Sequence, residues 1–365
     1  MIYLDNAATT PICEASKKAI IEHLDDFGNP SSSYEAGRKA KMLIEDARER
    51  IAKCINAEPN EIYFTSGGSE SNSWALMGRT RLASWIEHHS VMTNYGFSVG
   101  EDGIADQEYV QRVVQTYCCE KSYYRPEIIS CMYVNNEIGT IQPIKQLANI
   151  AHDNGLLFHT DAVQAVGHTA INVKNIDCDM LSASGHKFGA PKGTGFLYVK
   201  NGIEMYPLIN GGKQERELRG GTENVLGIIS MAAALEYSVD HMEQYNKYIK
   251  VFRDKLLNTL LSIDGIYLNG SFDNRIESNI NVRIKGVKGQ DVVAMADQYG
   301  ICISAGSACN EGTATPSRIL KEIGLPNEEA LSSIRITIGH HNTYEEIEYA
   351  CNTLPKIIKT LRDIG

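Results

Sequence analysis

Short apolar segments separated by helix-like segments constrain the fold of this chain most. Four of them, EIISCMYV (127–134), LLFHTD (156–161), MLSAS (180–184) and TGFLYV (194–199), are largely apolar without alternation. Strands have this character when helices cover both faces of their sheet. With the earlier segment EIYFTS (61–66), the alternation of strand-like and helix-like segments predicts an α/β fold.

The rest of the pattern predicts two domains. Helical patterning is unusually long from about Thr222 to Ile263, and there the chain is expected to pass from a large domain to a small one. We assign residues 14–245 to the large domain, and residues 1–13 with 246–365 to the small domain. Further predicted elements are helices at about 30–54, from Ser69, from Gln290, at 317–323 and at the end of the chain, where Pro355 should kink or restart the helix, and strands at 279–284, 301–304 and 334–338.

Composition excludes several classes of function. The net charge of −10 over 365 residues argues against direct binding of nucleic acid, which needs clustered Lys and Arg. The nine cysteines include no C-x-x-C pair, so neither a metal site nor a disulfide framework is predicted. The N-terminal residues lack the features of a signal peptide, and the longest apolar stretch, 228–235, is too short to span a bilayer. A cytoplasmic, reducing location without membrane contact is therefore expected.

The segment SASGHKFGAPKG (182–193) places Lys187 just after a predicted buried strand. A buried ammonium group is costly, but the cost disappears if the amine forms a Schiff base with an aldehyde cofactor. Taken alone, Lys187 could equally belong to a surface turn.

Two further sites make the cofactor interpretation specific. Asp161 ends the strand LLFHTD, at the edge of the sheet where α/β proteins bind ligands, and could face a pyridine nitrogen. Gln164 could bond a phenolic oxygen of the same ring. Gly67, Gly68 and Ser69 lie between a strand and a helix, where backbone N–H groups and a hydroxyl can bind phosphate. Together with Lys187, these residues are expected to follow three successive strands of the sheet, and they predict pyridoxal 5'-phosphate as the cofactor.

A set of motifs resembles the cysteine desulfurases of the nitrogenase and iron–sulfur-cluster type, which are fold-type-I pyridoxal-phosphate enzymes. The resemblance implies a large domain with a mostly parallel seven-stranded sheet, a small α/β C-terminal domain, and conversion of L-cysteine to L-alanine with transfer of sulfur to an acceptor protein. It runs nearly end to end, in the family's order, through YLDNAATTP (3–11), FGNPSS (27–32), FTSGGSES (64–71), VNNEIGT (134–140), HTDAVQAVG (159–167), SGHKFGAPKGTG (184–195), ERELRGGTENV (215–225), SAGSAC (304–309) and SSIRITIG (332–339).

The resemblance also implies roles for individual residues. Lys187 would hold the cofactor and Asp161 would pair with its ring nitrogen. His88 would stack on the ring and act in proton transfer, although a solvated loop histidine is the alternative, and the chain around it is shorter than is typical of the family. The other implied contacts are Gln164 and Asn136 to the phenolic oxygen, Asn136 also to the substrate carboxylate, and Gly68, Ser69, Ser184, His186 and, from the neighbouring subunit of a homodimer, Thr222 to the phosphate.

Cys309 is the predicted sulfur carrier. It follows a β-branched strand and lies among glycine and small residues, which suit a thiol that visits the cofactor and then an acceptor. Cys302, inside the strand, is more typical of a small core residue. Arg335 is predicted to bind the substrate carboxylate through two hydrogen bonds, with pairing to a surface acid as the alternative.

Other functions stay open at this level. A selenocysteine lyase or a cystine lyase would use the same lysine chemistry without requiring Cys309 in every case. A non-catalytic scaffold of a sulfur-transfer complex would be expected to lose Lys187, Asp161 or Cys309, and all three are present. The sulfur acceptor could be an iron–sulfur scaffold, a tRNA-thiolation enzyme or a DNA sulfur-modification system.

Overall fold

The computed structural model describes residues 1–119, 124–305 and 315–364. The strands in these ranges are β1 (Ile2–Tyr3), β2 (Ile62–Thr65), β3 (Arg81–Ser84), β4 (Gly96–Phe97), β5 (Ile128–Ser130), β6 (Leu157–Asp161), β7 (Met180–Ser184), β8 (Gly195–Val199), β9 (Ile266–Leu268), β10 (Asn279–Ile284), β11 (Ile301–Cys302) and β12 (Ser333–Thr337). The α-helices are α1 (Glu14–Glu22), α2 (Glu35–Ile55), α3 (Gly68–Ala75), α4 (Gln107–Cys118), α5 (Ile144–Asp153), α6 (Val173–Ile176), α7 (Val225–Leu261), α8 (Gly289–Gln298), α9 (Arg318–Glu322), α10 (Asn327–Leu331) and α11 (Tyr344–Ile364).

A seven-stranded sheet forms the centre of the larger part of the chain. Its strand order is β2-β8-β7-β6-β5-β3-β4. The pairs from β7 to β4 are parallel, whereas β8 is antiparallel to both β7 and β2. Strands β7 and β8 are buried along their whole length, as their apolar runs predict. The predicted α/β fold with a mostly parallel sheet is confirmed.

The sheet brings the carboxyl ends of three strands to one edge. Because β8 reverses direction, β2 runs the same way as β7 and β6, and the segments that follow all three strands meet at this edge. The sequence suggested that the phosphate loop, the lysine and the acid follow adjacent strands, and this was wrong for β2. The antiparallel β8 lies between β2 and β7, a reversal that an apolar run does not reveal.

A second, smaller sheet lies in the remainder of the chain. Strands β9, β10 and β12 are antiparallel, and β1 pairs in parallel with β11. One cluster of buried apolar side chains surrounds the seven-stranded sheet, and another joins Leu4 to the segments after Ile249. The domain boundaries at 13/14 and 245/246 remain predictions.

Helix α7 is the longest element among the described residues, with 37 residues. Its first half, including Ile228 and Leu235, contributes to the cluster around the seven-stranded sheet. Its second half, including Ile249 and Leu260, contributes to the cluster of the smaller sheet. The passage predicted between Thr222 and Ile263 is therefore one continuous helix.

Two predicted helix boundaries differ from the structure. Helix α2 begins at Glu35 rather than near Pro30, because Asn29 accepts hydrogen bonds from Ser31 N (2.9 Å) and Ser32 N (3.0 Å) and holds the preceding residues in a turn. Helix α11 continues through Pro355 and does not restart there. Its buried face, which includes Ile347, Leu354 and Ile358, packs on both sides of the proline.

A left-handed turn interrupts the chain before α7. Glu215 (φ 43°), Arg216 (φ 59°) and Glu217 (φ 69°) all adopt the left-handed conformation, although none is glycine. For L-residues this conformation costs roughly 1–2 kcal/mol each, and runs of it are unusual. Contacts elsewhere must offset this cost.

No helix in the described ranges combines the length and the apolar character needed to cross a lipid bilayer.

Candidate active site

Lys187 ends the short 3-10 turn Gly185–Lys187 that follows β7. Its Nζ donates hydrogen bonds to the carbonyl oxygens of Ala7 (2.5 Å) and Ala8 (2.9 Å), in the N-terminal segment. Burial and, to a smaller extent, nearby Arg335 lower the pKa of Lys187 to about 8, against the opposing effect of Asp161. An amine with this pKa is a usable nucleophile near neutral pH.

Asp161 is the last residue of β6 and is buried. Its carboxylate accepts hydrogen bonds from Asn72 Nδ2 (2.6 Å) and from Val163 N (3.0 Å). Burial raises the pKa of Asp161, while these hydrogen bonds, His88 and Lys187 oppose the rise. A buried carboxylate at a ligand-binding edge is stabilised by a cationic partner, and a protonated pyridine nitrogen has that character.

A chain of polar contacts joins Asp161 to His88. Asn72 Nδ2 bonds both Asp161 and Ser90 Oγ (2.9 Å), and Ser90 Oγ lies 2.8 Å from His88 Nδ1. The His88 side chain is accessible to solvent, yet desolvation lowers its pKa, opposed by Asp161 and assisted by His89 and Lys187. His88 is therefore a neutral imidazole at neutral pH, close enough to Asp161 and Lys187 to interact with both.

The segment between β2 and α3 has the form of an anion cradle. Gly67 has φ 152°, and a Cβ added to Gly68 would come within 2.4 Å of Val163 Cγ2, so both positions need glycine. Ser184 Oγ lies beside Gly67, and Ser69 is exposed in the first turn of α3. A helix N-terminus with free N–H groups and an adjacent hydroxyl suits a phosphate.

His186 borders this region. Its Nδ1 lies 3.1 Å from Thr9 Oγ1. Burial lowers the pKa of His186 to about 4, with smaller effects of Lys187 and Lys192. The imidazole is therefore neutral at pH 7 and can bond a phosphate oxygen only through an N–H group.

Asn136 and Gln164 follow β5 and β6 of the seven-stranded sheet, and Arg335 lies in β12 of the smaller sheet. Gln164 Nε2 donates to Ala7 O (2.9 Å), the same carbonyl that accepts from Lys187, and Asn136 lines a cavity with both Ala7 and Gln164. Arg335 NH1 donates to Asn136 O (3.0 Å), and its NH2 bonds Asp5 Oδ1 (2.7 Å). The buried Nε of Arg335 has no partner among the described residues. Arg335 is thus paired with a largely buried acid rather than with a surface acid, while its Nε–H group is not engaged within that part of the chain.

Cys309 lies outside the described residues. The chain before it is fixed by two backbone bonds between Ser304 and Arg335. After the gap, Ser317 Oγ bonds Glu137 Oε2, and Arg318 NH2 bonds the carbonyl of Glu87. The first flank therefore lies against Arg335, which bonds Asn136, and the second lies against the chain neighbours of Asn136 and His88.

Cys302 is half-buried in β11, and burial raises the pKa of its thiol. A thiol with a raised pKa is a poor nucleophile at neutral pH. This agrees with its interpretation as a structural residue.

Thr222 is exposed and lies just before α7. Within the described ranges its side chain forms no hydrogen bond with the phosphate cradle of its own chain, and its role in a neighbouring subunit remains a prediction.

The residues that are present fit pyridoxal phosphate. A buried carboxylate, a lysine with a lowered pKa and a glycine cradle lie at one sheet edge, which matches the ring nitrogen, the aldehyde and the phosphate of that cofactor. Lys187 would form the covalent link, and Asp161 would face the ring nitrogen. In the described ranges, no group of three or more His, Cys, Asp or Glu side chains could hold a metal ion.

Sequence reasoning missed four residues of this site: Asp5, Asn72, Glu87 and Ser90. Asp5 and Asn72 lie in or beside the motifs YLDNAATTP and FTSGGSES. Their proximity to those motifs was an available signal. Their partners, Arg335 and Asp161, are distant in the chain, so their roles follow only from the fold.

Comparison with known proteins gives consistent results. The family model described as aminotransferase class-V matches residues 2–350. Cysteine desulfurase IscS of Methanosarcina thermophila is 40% identical, with 100% of this chain and 93% of that protein covered. The solved NifS-like protein of Rickettsia africae is 30% identical with a TM-score of 0.89, over 98% of this chain and 99% of that one. A structure described as SspA in complex with cysteine is 32% identical with a TM-score of 0.79, over 94% and 100% of the two chains.

These matches extend over nearly the whole chain, and the residues of the sheet edge fit the cofactor that such enzymes use. The chain therefore belongs to the aminotransferase class-V family of pyridoxal-phosphate-dependent enzymes.

Proposed function

We propose that this chain is a cysteine desulfurase in which Lys187 carries pyridoxal phosphate and Cys309 receives the sulfur of L-cysteine. The observation that carries the proposal is the pairing of a lysine of lowered pKa with a buried aspartate at one sheet edge. The cysteine desulfurase name of the 40%-identical relative and the cysteine bound in a structural neighbour support the choice of substrate.

When bound, pyridoxal phosphate supplies an electron sink that weakens bonds at the amino acid's α-carbon and beyond. The protein's own groups do the rest. Lys187, deprotonated above about pH 8, can accept the α-proton of the substrate. His88, a neutral imidazole held by Ser90, can return or accept a proton beside the ring. Asp161 would keep the ring nitrogen protonated, and Gln164 and Asn136 would bond the phenolic oxygen.

The sulfur step balances without any further reagent. The Cβ–Sγ bond of substrate cysteine breaks and a bond forms between that sulfur and the Cys309 sulfur. The carbon gains a proton, so the products are L-alanine and a Cys309 persulfide. The attacking group must be the thiolate. The positions of Ser304 and Ser317, which flank the Cys309 segment beside Arg335 and Glu137, support access of this thiol to the site.

Arg335 is the proposed partner of the substrate carboxylate. Its Nε has no partner in the described part of the chain, and its NH2 bonds Asp5. A substrate carboxylate that engages Nε and NH2 together would compete with Asp5 for this guanidinium. Displacement of Asp5 would therefore accompany substrate binding.

Assembly, acceptor and compartment belong to the same proposal. We infer a homodimer in which Thr222 of each subunit contacts the neighbouring phosphate, and a protein that accepts the persulfide sulfur. The eight described cysteines are all free, which supports a reducing compartment such as the cytoplasm.

The test is incubation of the holoenzyme with L-cysteine, followed by intact-mass analysis and an alanine assay. We expect a gain of one sulfur at Cys309 with matching alanine. Lys187→Ala should lose both the cofactor's visible absorption and the activity, and Cys309→Ser should keep the absorption but lose the persulfide. Cys302→Ser is the matched control and should behave like the native protein. Retained desulfurase turnover in Cys309→Ser would reject Cys309 as the nucleophile.

A further inference from the structure

The left-handed turn at Glu215–Glu217 and the residues up to Arg219 contact the chain on both sides of the phosphate cradle. We call residues 215–219 the brace. The cradle, residues 66–69, begins where β2 ends and continues into α3. The brace touches β2 with its first residue and α3 with its last. Strained backbone in a folded protein persists only where surrounding contacts hold it, and such strain is concentrated at functional sites.

The upstream contact is a buried ion pair. Arg48 of α2 bonds Glu215 through NH1 (2.9 Å) and NH2 (2.8 Å), and both side chains are at least 95% buried. Glu215 Oε2 also accepts from Phe64 N (2.9 Å), and Arg48 NH1 donates to Ile62 O (2.7 Å). Strand β2 is at the edge of the described sheet, so these two side chains bond backbone groups that no further strand of that sheet pairs. The contact fixes β2 immediately before the cradle.

The downstream contact is the ion pair of Arg219 with Glu70. Arg219 Nε lies 2.9 Å from Glu70 Oε1, and Glu70 Oε2 accepts from Ser66 N (2.8 Å). Both side chains are largely buried, at 22% and 14% exposure. Glu70 therefore spans the cradle from the first turn of α3 back to Ser66, and Arg219 holds Glu70 in that position.

We propose that Glu215 and Arg219 are positioning residues for the phosphate cradle of the same chain. The left-handed turn lets one short segment hold both the entry and the exit of residues 66–69, so that the N–H groups of Gly68 and Ser69 keep the spacing that a phosphate requires. The inference rests on the cofactor of the proposed function, and it assigns to the brace a role in recognising the phosphate rather than the ring.

A purely structural role makes a different prediction. If the brace only protected the edge of β2 or added general stability, its loss would weaken the binding of any cofactor form alike. A role in positioning the cradle predicts a selective loss, because pyridoxal has the ring and aldehyde of the cofactor but no phosphate. The ratio of the affinities for pyridoxal phosphate and pyridoxal therefore separates the two roles.

The experiment titrates the apo-protein with each compound and follows quenching of tryptophan fluorescence, with Trp74 in α3 as a nearby reporter. Arg219→Met should weaken binding of pyridoxal phosphate by about tenfold and leave pyridoxal binding unchanged. Arg50→Met is the matched control. Arg50, in α2, forms a similar ion pair (2.6 Å) with Glu236 of α7, and among the described residues neither forms a hydrogen bond or ion pair with the brace. This control should change neither affinity.

Further variants keep the test decisive. Glu70→Gln should reproduce the loss seen in Arg219→Met, and the double variant should lose no more than either single variant, because both remove the same contact. Glu215→Gln retains an acceptor for Phe64 N and should show a smaller selective loss, while Arg219→Lys serves if the methionine variant fails to fold. Equal weakening of both compounds, or no change in either, would overturn the proposal. Because binding is measured without cysteine, a failure of desulfurase activity would not be mistaken for a failure of the brace.

Discussion

Glu87, which precedes His88 in the chain, offers a quantitative test of how burial shifts a pKa beside the active site. Its side chain is buried, and Oε1 accepts hydrogen bonds from Ser84 Oγ (2.5 Å) and Met132 N (2.7 Å), while Oε2 has no partner within the described ranges. Burial, with a smaller contribution from Asp161, raises the pKa of Glu87 to about 8, against the opposing effect of the hydrogen bond from Ser84. At neutral pH the group is therefore a neutral carboxylic acid that ties the loop of His88 to the end of β5. Glu87→Gln replaces it with an uncharged side chain of the same shape.

The direction of the effect follows from the raised pKa. Below the ordinary value of 4.5, Glu87 is protonated in both the folded and the unfolded chain. Between 4.5 and about 8, only the folded chain keeps the proton, so the native protein loses stability as pH rises and the loss levels off above 8. A difference of about 3.5 pH units, at about 1.4 kcal/mol each, amounts to roughly 5 kcal/mol. The glutamine variant lacks this loss.

The assay is urea unfolding of the native protein and Glu87→Gln at pH 5, 7 and 9. We expect the stability of the variant relative to the native protein to rise by several kcal/mol across this range. The amide that the substitution introduces does not titrate, so any change in hydrogen bonding adds a constant offset and leaves the slope unaffected. Glu127→Gln is the control, because hydrogen bonds from Thr80 lower the pKa of Glu127 and its effect is complete above pH 5. A difference between native protein and Glu87→Gln that is the same at pH 5 and 9 would refute the reasoning.

Three further predictions concern Lys187, Arg335 and the left-handed turn. Apo-protein should bind pyridoxal phosphate covalently at a rate that increases as pH rises through about 8, because burial lowers the pKa of Lys187. Stopped-flow absorbance measures this rate, and a rate that does not change with pH would contradict the prediction. Arg335→Lys should raise the KM for cysteine and lower kcat/KM roughly 10–100-fold in an alanine assay, since lysine cannot make two parallel bonds to a carboxylate; an unchanged KM would place the carboxylate elsewhere. Glu217→Gly should stabilise the protein by about 1 kcal/mol in urea unfolding, because only glycine adopts a φ of 69° without penalty. Glu217→Ala should give no such gain, and equal effects of the two substitutions would mean that the turn is unstrained.

Much of the fold could be predicted because burial leaves a direct mark on sequence. The predicted strand 180–184 coincides with β7, and the predicted strand 156–161 contains β6, since both are covered on two faces and must be apolar. Lys187 and Asp161 are the polar exceptions at the ends of such runs. That position, taken with the glycine and serine residues at 67–69 and the family resemblance, placed them at the functional edge of the sheet, where the structure brings them together.

The remaining features depend on contacts between distant segments. Asn72 has a place in the site because it bonds Asp161, 89 residues later, and Asp5 because it bonds Arg335, 330 residues later. The left-handed conformation of Glu215 is equally hidden, since nothing in the local sequence favours it and the Arg48 ion pair stabilises it from another helix. Local patterns record burial and turn chemistry, but not which remote side chain completes a pair.

Because helix α7 packs in both cores, neither core can be expressed as a folded fragment without the other. It extends for 37 residues, about 55 Å, and its two halves supply Leu235 to one core and Leu260 to the other. A fragment that ends inside this helix would leave an apolar face of one core exposed to water. A cross-over between related chains near the middle of this helix would keep each half with the core on which it packs, whereas a cross-over at either end would place one half against a core from the other parent.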